Sequence, residues 1–302
     1  MNCGRPNMLD ENMIVLNQTF LRLRSFYERA GLIPGKLDRI GLKPGWTVVI
    51  GSNEECGTAF RFSGPHKVYE NNDIASETLQ SLIGKGLFDV AGEHLSSQQI
   101  PLRSLAVAAL SALSQPFLSS ASLSARKLQV INDRDILETI VIPEDIVTLV
   151  GYGGMAQRLL GKCRELHVAD MRSPEALLTK IIGKKIEYAP KELILHGAED
   201  DEEILGKSDV VIITASSLVN GTIDELLRYS INARAIVLYG PSASIIPDVL
   251  FEKGVDFVMS HHVHSPKDFI YSMHTDQNME QAIRNLQHHQ TIYPEAGPEF
   301  RR

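Results

Sequence analysis

Cysteine is scarce in this chain: Cys3, Cys56 and Cys163 are all there is in 302 residues. An odd number at wide, unpatterned spacing argues against a disulfide framework and against a structural zinc knuckle. Long apolar runs are lacking too. No uninterrupted stretch approaches the ~18 to 20 residues that a spanning helix requires. The start, MNCGRPNMLDENM, lacks the basic-then-apolar order of a secretion signal, so the expected location is cytoplasmic. Positive charge is in deficit. With 30 Lys and Arg against 37 Asp and Glu, the formal net charge of -7 repels phosphate backbones and anionic headgroups, and neither nucleic acid nor membrane is an expected partner. No GxSxG elbow, HExxH helix or GxxxxGK loop followed by Ser or Thr occurs, which removes the usual supports of hydrolase, zinc-peptidase and nucleoside-triphosphatase readings. No internal repeat is evident.

What is present is ordinary globular material, 43% hydrophobic and 22% charged, enough for one large domain or two average ones. Apolar residues at Ile14, Val15, Phe20, Leu21, Leu23 and Phe26 fit an amphipathic helix within 9–30. After the breakers Gly31 to Pro34, WTVVI (46–50) and GTAFRF (57–62) read as two paired strands, and 75–85 and the small-residue run LRSLAVAALSAL (102–113) as helices. The serine-rich stretch Ser119 to Lys127 is the sharpest composition shift, and it divides the chain into an α+β domain at 1–125 and a second domain at 126–302. Beyond it, apolar runs at 146–150, 166–169, 210–214, 235–239 and 255–259 alternate with polar or helical stretches, the grammar of an α/β, Rossmann-like, doubly wound parallel sheet. The segment 287–302, with two prolines and little to bury, reads as a helix end and a loose tail.

The sharpest motif is IVTLVGYGGMAQRLLGKCRELHVAD, 146–170. Gly151, Gly153 and Ala156 have the GxGxxA spacing between a strand and a helix, and Asp170 ends the next strand, where an acid would accept hydrogen bonds from a ribose. Gly151 permits the turn, Gly153 lets an anion approach the backbone, and Ala156 allows close helix packing. The same glycines serve a fold that merely needs tight packing. A second constellation, SDVVIITASSLVNGTIDELL (208–227), brings Thr214, Ser217, Asn220, Gly221 and Thr222 to a strand end, suited to a polar or anionic small molecule or to capping of the following helix. Pro241 and Ser242, in the turn Gly240 to Ser244, would complete an anion cradle through backbone amides or form an ordinary loop.

The histidines in MSHHVHSP point elsewhere, because imidazole is a common ligand for divalent transition metals. In an extended segment His262 and His264 share a face while His261 points away, so His262 and His264 are the candidate metal pair. Solvated or capping histidines are the plainer alternative. In the first half, Glu54, Glu55 and Cys56 join the two strands. Carboxylates beside a thiol suit acid-base work, but a turn needs polar residues anyway, and Cys56 lacks a patterned His partner.

Laid in order, these segments resemble the DUF364 family, named for heavy-metal chelation, with its usual N-terminal partner DUF4213. The resemblance covers most of 10–275. It is strongest in DVVIITASSLVNGTIDELL, IVLYGPSASIIPDVLFEKGVDFV and VHSPKDF between 209 and 269, and it extends to GYGGMAQRLL and AVAALSAL. It implies an enolase N-terminal-like α+β domain ahead of a Rossmann-like domain, with a cleft between them that binds or processes a small chelating molecule of siderophore, pterin or flavin type. Its implied cleft residues are Gly151, Gly153, Ser217, Asn220, Gly221, Thr222, Pro241 and Ser242. Relatives tend to carry asparagine where this chain has Ser111, and the HHVH trio is unusual at its site. Three readings stand: a binder of a small polar chelating or heteroaromatic molecule, with or without condensation or hydrolysis chemistry; an NAD(P)-dependent oxidoreductase using the GxGxxA crevice; and a non-catalytic metal-binding protein. Leftover apolar helix surface permits a homodimer.

Overall fold

Alternation of apolar residues along two central strands decides how the larger sheet is covered. Val211 and Ile213 of one strand, with Ile236 and Leu238 of its neighbour, belong to one hydrophobic cluster. Val210, Ile212, Ala235 and Val237 belong to another on the opposite face. Both faces are therefore buried, which is why these strands read in the sequence as unbroken apolar runs. In the computed structural model, which describes residues 13–63, 68–69, 73–133, 136–182, 185–263, 265, 267–269, 271 and 287–297, the fold is mixed α/β. A mostly parallel eight-stranded sheet stands beside a separate antiparallel three-stranded one, in line with the expected class.

The first half contains α1 (Ile14–Ala30), β1 (Leu37–Lys43), β2 (Gly45–Gly51), β3 (Cys56–Arg61), α2 (Ser76–Leu82), α3 (Leu87–His94), α4 (Ile100–Ser114) and α5 (Ser120–Ala125). α1 ends at Gly31, whose φ of 63 supplies the left-handed turn that closes a helix. The strands run in the order β1-β2-β3. β1 is an addition to the sequence reading, since LDRIGLK carries three charges and a glycine and shows no clean alternation. α4 opens with Pro101 in its first turn and is buried from Pro101 to Ser114. Its Leu105, Leu110 and Leu113 are fully buried, each contributing about 2 kcal/mol of transfer free energy. Its small residues let β3 approach closely: a Cβ added to Gly57 would overlap the Ala108 carbonyl and the Ala112 backbone. Ser111 is buried there and accepts the Thr58 N–H at 3.3 Å. The serine-rich stretch is not a bare loop but α5, capped by the Ser119 hydroxyl on the Ser122 amide and anchored by buried Leu123.

The second half contains β4 (Leu128–Asn132), α6 (Leu137–Ile140), β5 (Ile146–Val150), α7 (Gly154–Leu159), β6 (Glu165–Asp170), α8 (Pro174–Leu177), β7 (Thr179–Ile182), β8 (Lys185–Tyr188) and β9 (Leu193–Gly197). There follow α9 (Asp201–Gly206), β10 (Val210–Thr214), α10 (Ser216–Asn220), α11 (Ile223–Tyr229), β11 (Ala235–Tyr239), α12 (Asp248–Glu252), β12 (Phe257–Val263) and β13 (Gln287–Pro294). The order is β4-β13-β12-β11-β10-β5-β6-β9, with β7 and β8 forming a separate hairpin. The helix-and-tail reading of 287–302 is corrected: 287–294 is a strand, antiparallel to both β12 and β4. Its polar residues misled because burial falls on polar side chains, Gln290 and Thr291, as well as on Ile292.

The two halves share one core. The cluster that covers one face of the large sheet includes Leu16 and Leu23 of α1, Leu105 and Leu110 of α4, and Leu218 and Ile223 of α10 and α11. On its far side the small sheet meets the end of β12, where Val48, Ile50 and Cys56 enclose Val263 and Phe269. At the amino ends of the parallel strands, buried Asp145 accepts the Ile142 N–H at 2.8 Å and two bonds from Arg234, at 3.2 and 2.5 Å. This pair ties the entrance of β5 to that of β11.

Candidate functional site

β5 lies between β6 and β10, so consecutive connections leave it in opposite directions. Open α/β sheets form their ligand crevice at such a switch point, at the carboxyl ends of the strands. β5 exits through Gly151, whose φ of +94 suits glycine and whose N–H bonds the Ala169 carbonyl at 2.8 Å. A Cβ built there would lie 2.9 Å from Thr214 Cγ2, so glycine lets the exits of β5 and β10 run side by side. Gly153 faces open space, with nothing within 4 Å of a built Cβ. Ala156 is fully buried against the sheet. The helix that follows, α7, has six residues and develops little of the macrodipole that a pyrophosphate would need.

Asp170 is already engaged. It accepts the amides of Tyr152 (2.8 Å) and Arg172 (2.9 Å) and the Arg172 Nε and Nη2 at 2.8 Å each. Four donors fill the acceptor capacity of a carboxylate, so a ribose would have to displace Arg172. Burial alone would raise the Asp170 pKa, but the bonds from Arg172 and Tyr152 outweigh it and hold the group below its usual range. A folded pKa below the unfolded value near 3.9 means that this contribution is present above that pH and is lost as pH falls through the folded value. Asp170→Asn is expected to lower stability by about 2 kcal/mol at pH 7 and by progressively less below about pH 4. Urea denaturation at both pH values checks this; an equal loss at both would contradict it. The sequence reading missed Arg172, for which the available signal was an arginine two positions after a strand-ending acid.

The remaining strand-end residues divide. Thr214 Oγ1 lies 3.2 Å from Ser216 Oγ, beside Gly151. Ser217 is buried and donates to the Thr214 carbonyl at 2.7 Å. Asn220 Oδ1 accepts the Thr222 amide (3.1 Å) and hydroxyl (2.9 Å), closing the turn between α10 and α11. Gly221 has φ +87, and a Cβ there would lie 2.7 Å from Arg103 Nη1. Pro241 begins a short turn in which the Gly240, Ala243 and Ser244 amides are bonded to backbone carbonyls. Ser242 is buried and accepts the Phe60 N–H at 2.8 Å, so its hydroxyl docks the small sheet onto the large one. Three of the amides expected to form a cradle at this turn are therefore already bonded within the fold.

Residues from the first half close the crevice. Tyr69 donates to Met171 Sδ at 3.1 Å, the Asn220 amide reaches the same sulfur at 3.2 Å, and the Tyr69 ring stands edge-on to Phe62 at 5.1 Å. Burial raises the Tyr69 pKa against the opposing pull of Asn220 and the Arg103 charge, so the phenol remains a neutral donor. Tyr239 donates to the Gly151 carbonyl at 3.4 Å. Glycines, tyrosines and the Arg172 guanidinium thus lie around the switch point, a setting for a planar or polar anion.

His262 is in β12, paired in register with His288, and His264 falls outside the described residues. Among the described residues no three His, Cys, Asp or Glu side chains converge on one point that could hold a metal. Glu55 is buried and accepts the Gly35 (2.8 Å) and Asn53 (2.9 Å) amides, a turn-forming role, while burial pushes the Cys56 thiol up to about 12, unsuited to a nucleophile.

Residues 135–275 match the DUF364 family model and residues 27–114 match DUF4213, both described as "Putative heavy-metal chelation". A DUF364-family protein of unknown function from Desulfitobacterium hafniense superimposes with a TM-score of 0.65 at 21% identity, covering 91% of this chain and 99% of that one. Another from Pyrococcus horikoshii gives 0.65 at 19%, covering 92% and 99%. An uncharacterized Methanocaldococcus jannaschii protein is 23% identical over 158 residues, 52% of this chain, which spans about half (53%) of that relative. Among the described residues no helix is long and apolar enough to cross a membrane.

Proposed function

The chain belongs to the DUF364 family, with a DUF4213 segment ahead of it, and from that premise we propose that it binds a small, polar, metal-chelating molecule, siderophore-, pterin- or flavin-like, at the switch point between β5 and β10. In this reading residues 126–302 supply the floor, Gly151, Gly153, Asp170, Thr214 and Asn220, and residues 1–125 supply the Tyr69 side. The observation that carries it is Arg172, gripped by Asp170 beside the open face of Gly153, with its side chain 39% exposed. A guanidinium held in one orientation recognises a planar oxyanion, and catecholates, hydroxamates and heteroaromatic enolates all present one. In this reading the metal arrives with the ligand.

Calorimetric titration with a ferric catecholate complex and with a pterin tests this. Binding at micromolar concentration is expected, weakened tenfold or more by Arg172→Ala, the effect of losing a charge-assisted contact of about 1.5 to 3 kcal/mol. Gly153→Val, which fills the open face, should weaken it likewise. A crevice that binds none of the chelators and pterins tried, or binds them unchanged in both variants, overturns the reading.

A further inference from the structure

On the β6–β9 edge of the large sheet, two histidines face each other. His167 Nδ1 and His196 Nε2 are 2.9 Å apart, with the rings stacked at 5.1 Å and 23°. Their outer nitrogens are held by carboxylates: His167 Nε2 to Glu165 Oε2 at 3.2 Å, and His196 Nδ1 to Asp200 Oδ2 at 3.4 Å. An ionised carboxylate only accepts, so each outer nitrogen carries the ring proton. The inner nitrogens, His167 Nδ1 and His196 Nε2, face each other at hydrogen-bond distance, where a single proton joins them or a metal ion can take that proton's place.

We infer that His167 and His196 form a two-histidine site for a divalent transition ion, distinct from the β5–β10 crevice. A carboxylate behind each ligating imidazole fixes its tautomer and raises its basicity, and this outer shell is built here for both rings. Imidazole nitrogens suit zinc, copper and nickel. Metal–nitrogen bonds of about 2.0 to 2.1 Å at a tetrahedral angle need the nitrogens roughly 3.3 Å apart, so the gap opens by a few tenths of an ångström. The rings are 16% and 18% exposed, enough to admit water as the remaining ligands. The run Glu199, Asp200, Asp201, Glu202 and Glu203 follows His196 after Gly197 and Ala198, and the Glu203 carboxylate lies close enough to feel its charge. Such a field gathers cations.

Tag-free protein, freed of metal by chelator and dialysed at pH 8, is given zinc, copper(II) or nickel in slight excess. Retained metal is counted after gel filtration, and copper is examined by electron paramagnetic resonance. The expected result is one bound equivalent with coupling to two nitrogens, lost in His167→Gln and in His196→Gln but kept when His262→Ala and His264→Ala are combined. Glu165→Gln, at a half-exposed side chain, should keep the fold and weaken binding 10- to 100-fold, which decides the matter if the histidine variants do not fold. Wild-type protein that retains no metal, or retention unchanged in His167→Gln and Glu165→Gln, overturns the site.

Discussion

Gly57→Ala is expected to cost about 3 kcal/mol or more, measured as the shift in urea unfolding, although it adds one methyl group to a strand. Its Cβ would enter the space of the Ala108 carbonyl oxygen and the Ala112 amide and Cα, all backbone atoms of α4 that cannot rotate aside. Overpacking of a core ordinarily costs 1 to 3 kcal/mol because side chains shift; here a whole helix or a strand must move. Lifting β3 from α4 would also stretch the Thr58–Ser111 hydrogen bond and loosen the Phe60–Ser242 bond that ties the small sheet to the large one. The variant should therefore weaken ligand binding as well as the fold. A loss under 1 kcal/mol would show that the contact between β3 and α4 is slack.

Arg234→Met is expected to cost about 3 kcal/mol by leaving Asp145, 4% exposed, as a buried charge with only the Ile142 amide for a partner. The guanidinium also donates to the Ile140 carbonyl at 2.8 Å, which loses that bond. Combining Arg234→Met with Asp145→Leu should recover most of the loss, because removing both charges also removes the cost of desolvating them. Unfolding of both singles and the double gives the coupling directly; a double variant as unstable as the sum of the singles would refute it. The pair lies at the opposite strand ends from the crevice, so folded Arg234→Met protein should bind chelators as the wild type does.

The parts legible in the sequence are those whose signal is local. β5, β10 and β11 are buried on both faces and read as continuous apolar runs, and α4 reads as a buried helix because nearly every residue is small or apolar. β1, β4, β9 and β13 escaped because partial burial on or near sheet edges leaves their composition mixed. The same limit applies to the crevice. Gly151 and Asp170 announce themselves by spacing. That Arg172 grips Asp170 could have been suspected from two neighbouring letters. That Tyr69 reaches Met171, or that Ser242 serves Phe60, depends on contacts between distant segments, which no periodicity encodes.

Among the described residues β4 finds its only strand partner in β13, with Leu128 paired to Pro294 and Asn132 to Gln290, and β13 fills the space between β4 and β12. On the ribosome, β4 emerges more than half the chain ahead of that partner. Until β13 is synthesised, the nascent chain carries β4 unpaired and the outer edge of β12 bare, while β5, β10 and β11 are free to assemble beside them. The sheet is thus closed by an interlock made late, and a pairing of such long range slows folding more than it affects final stability.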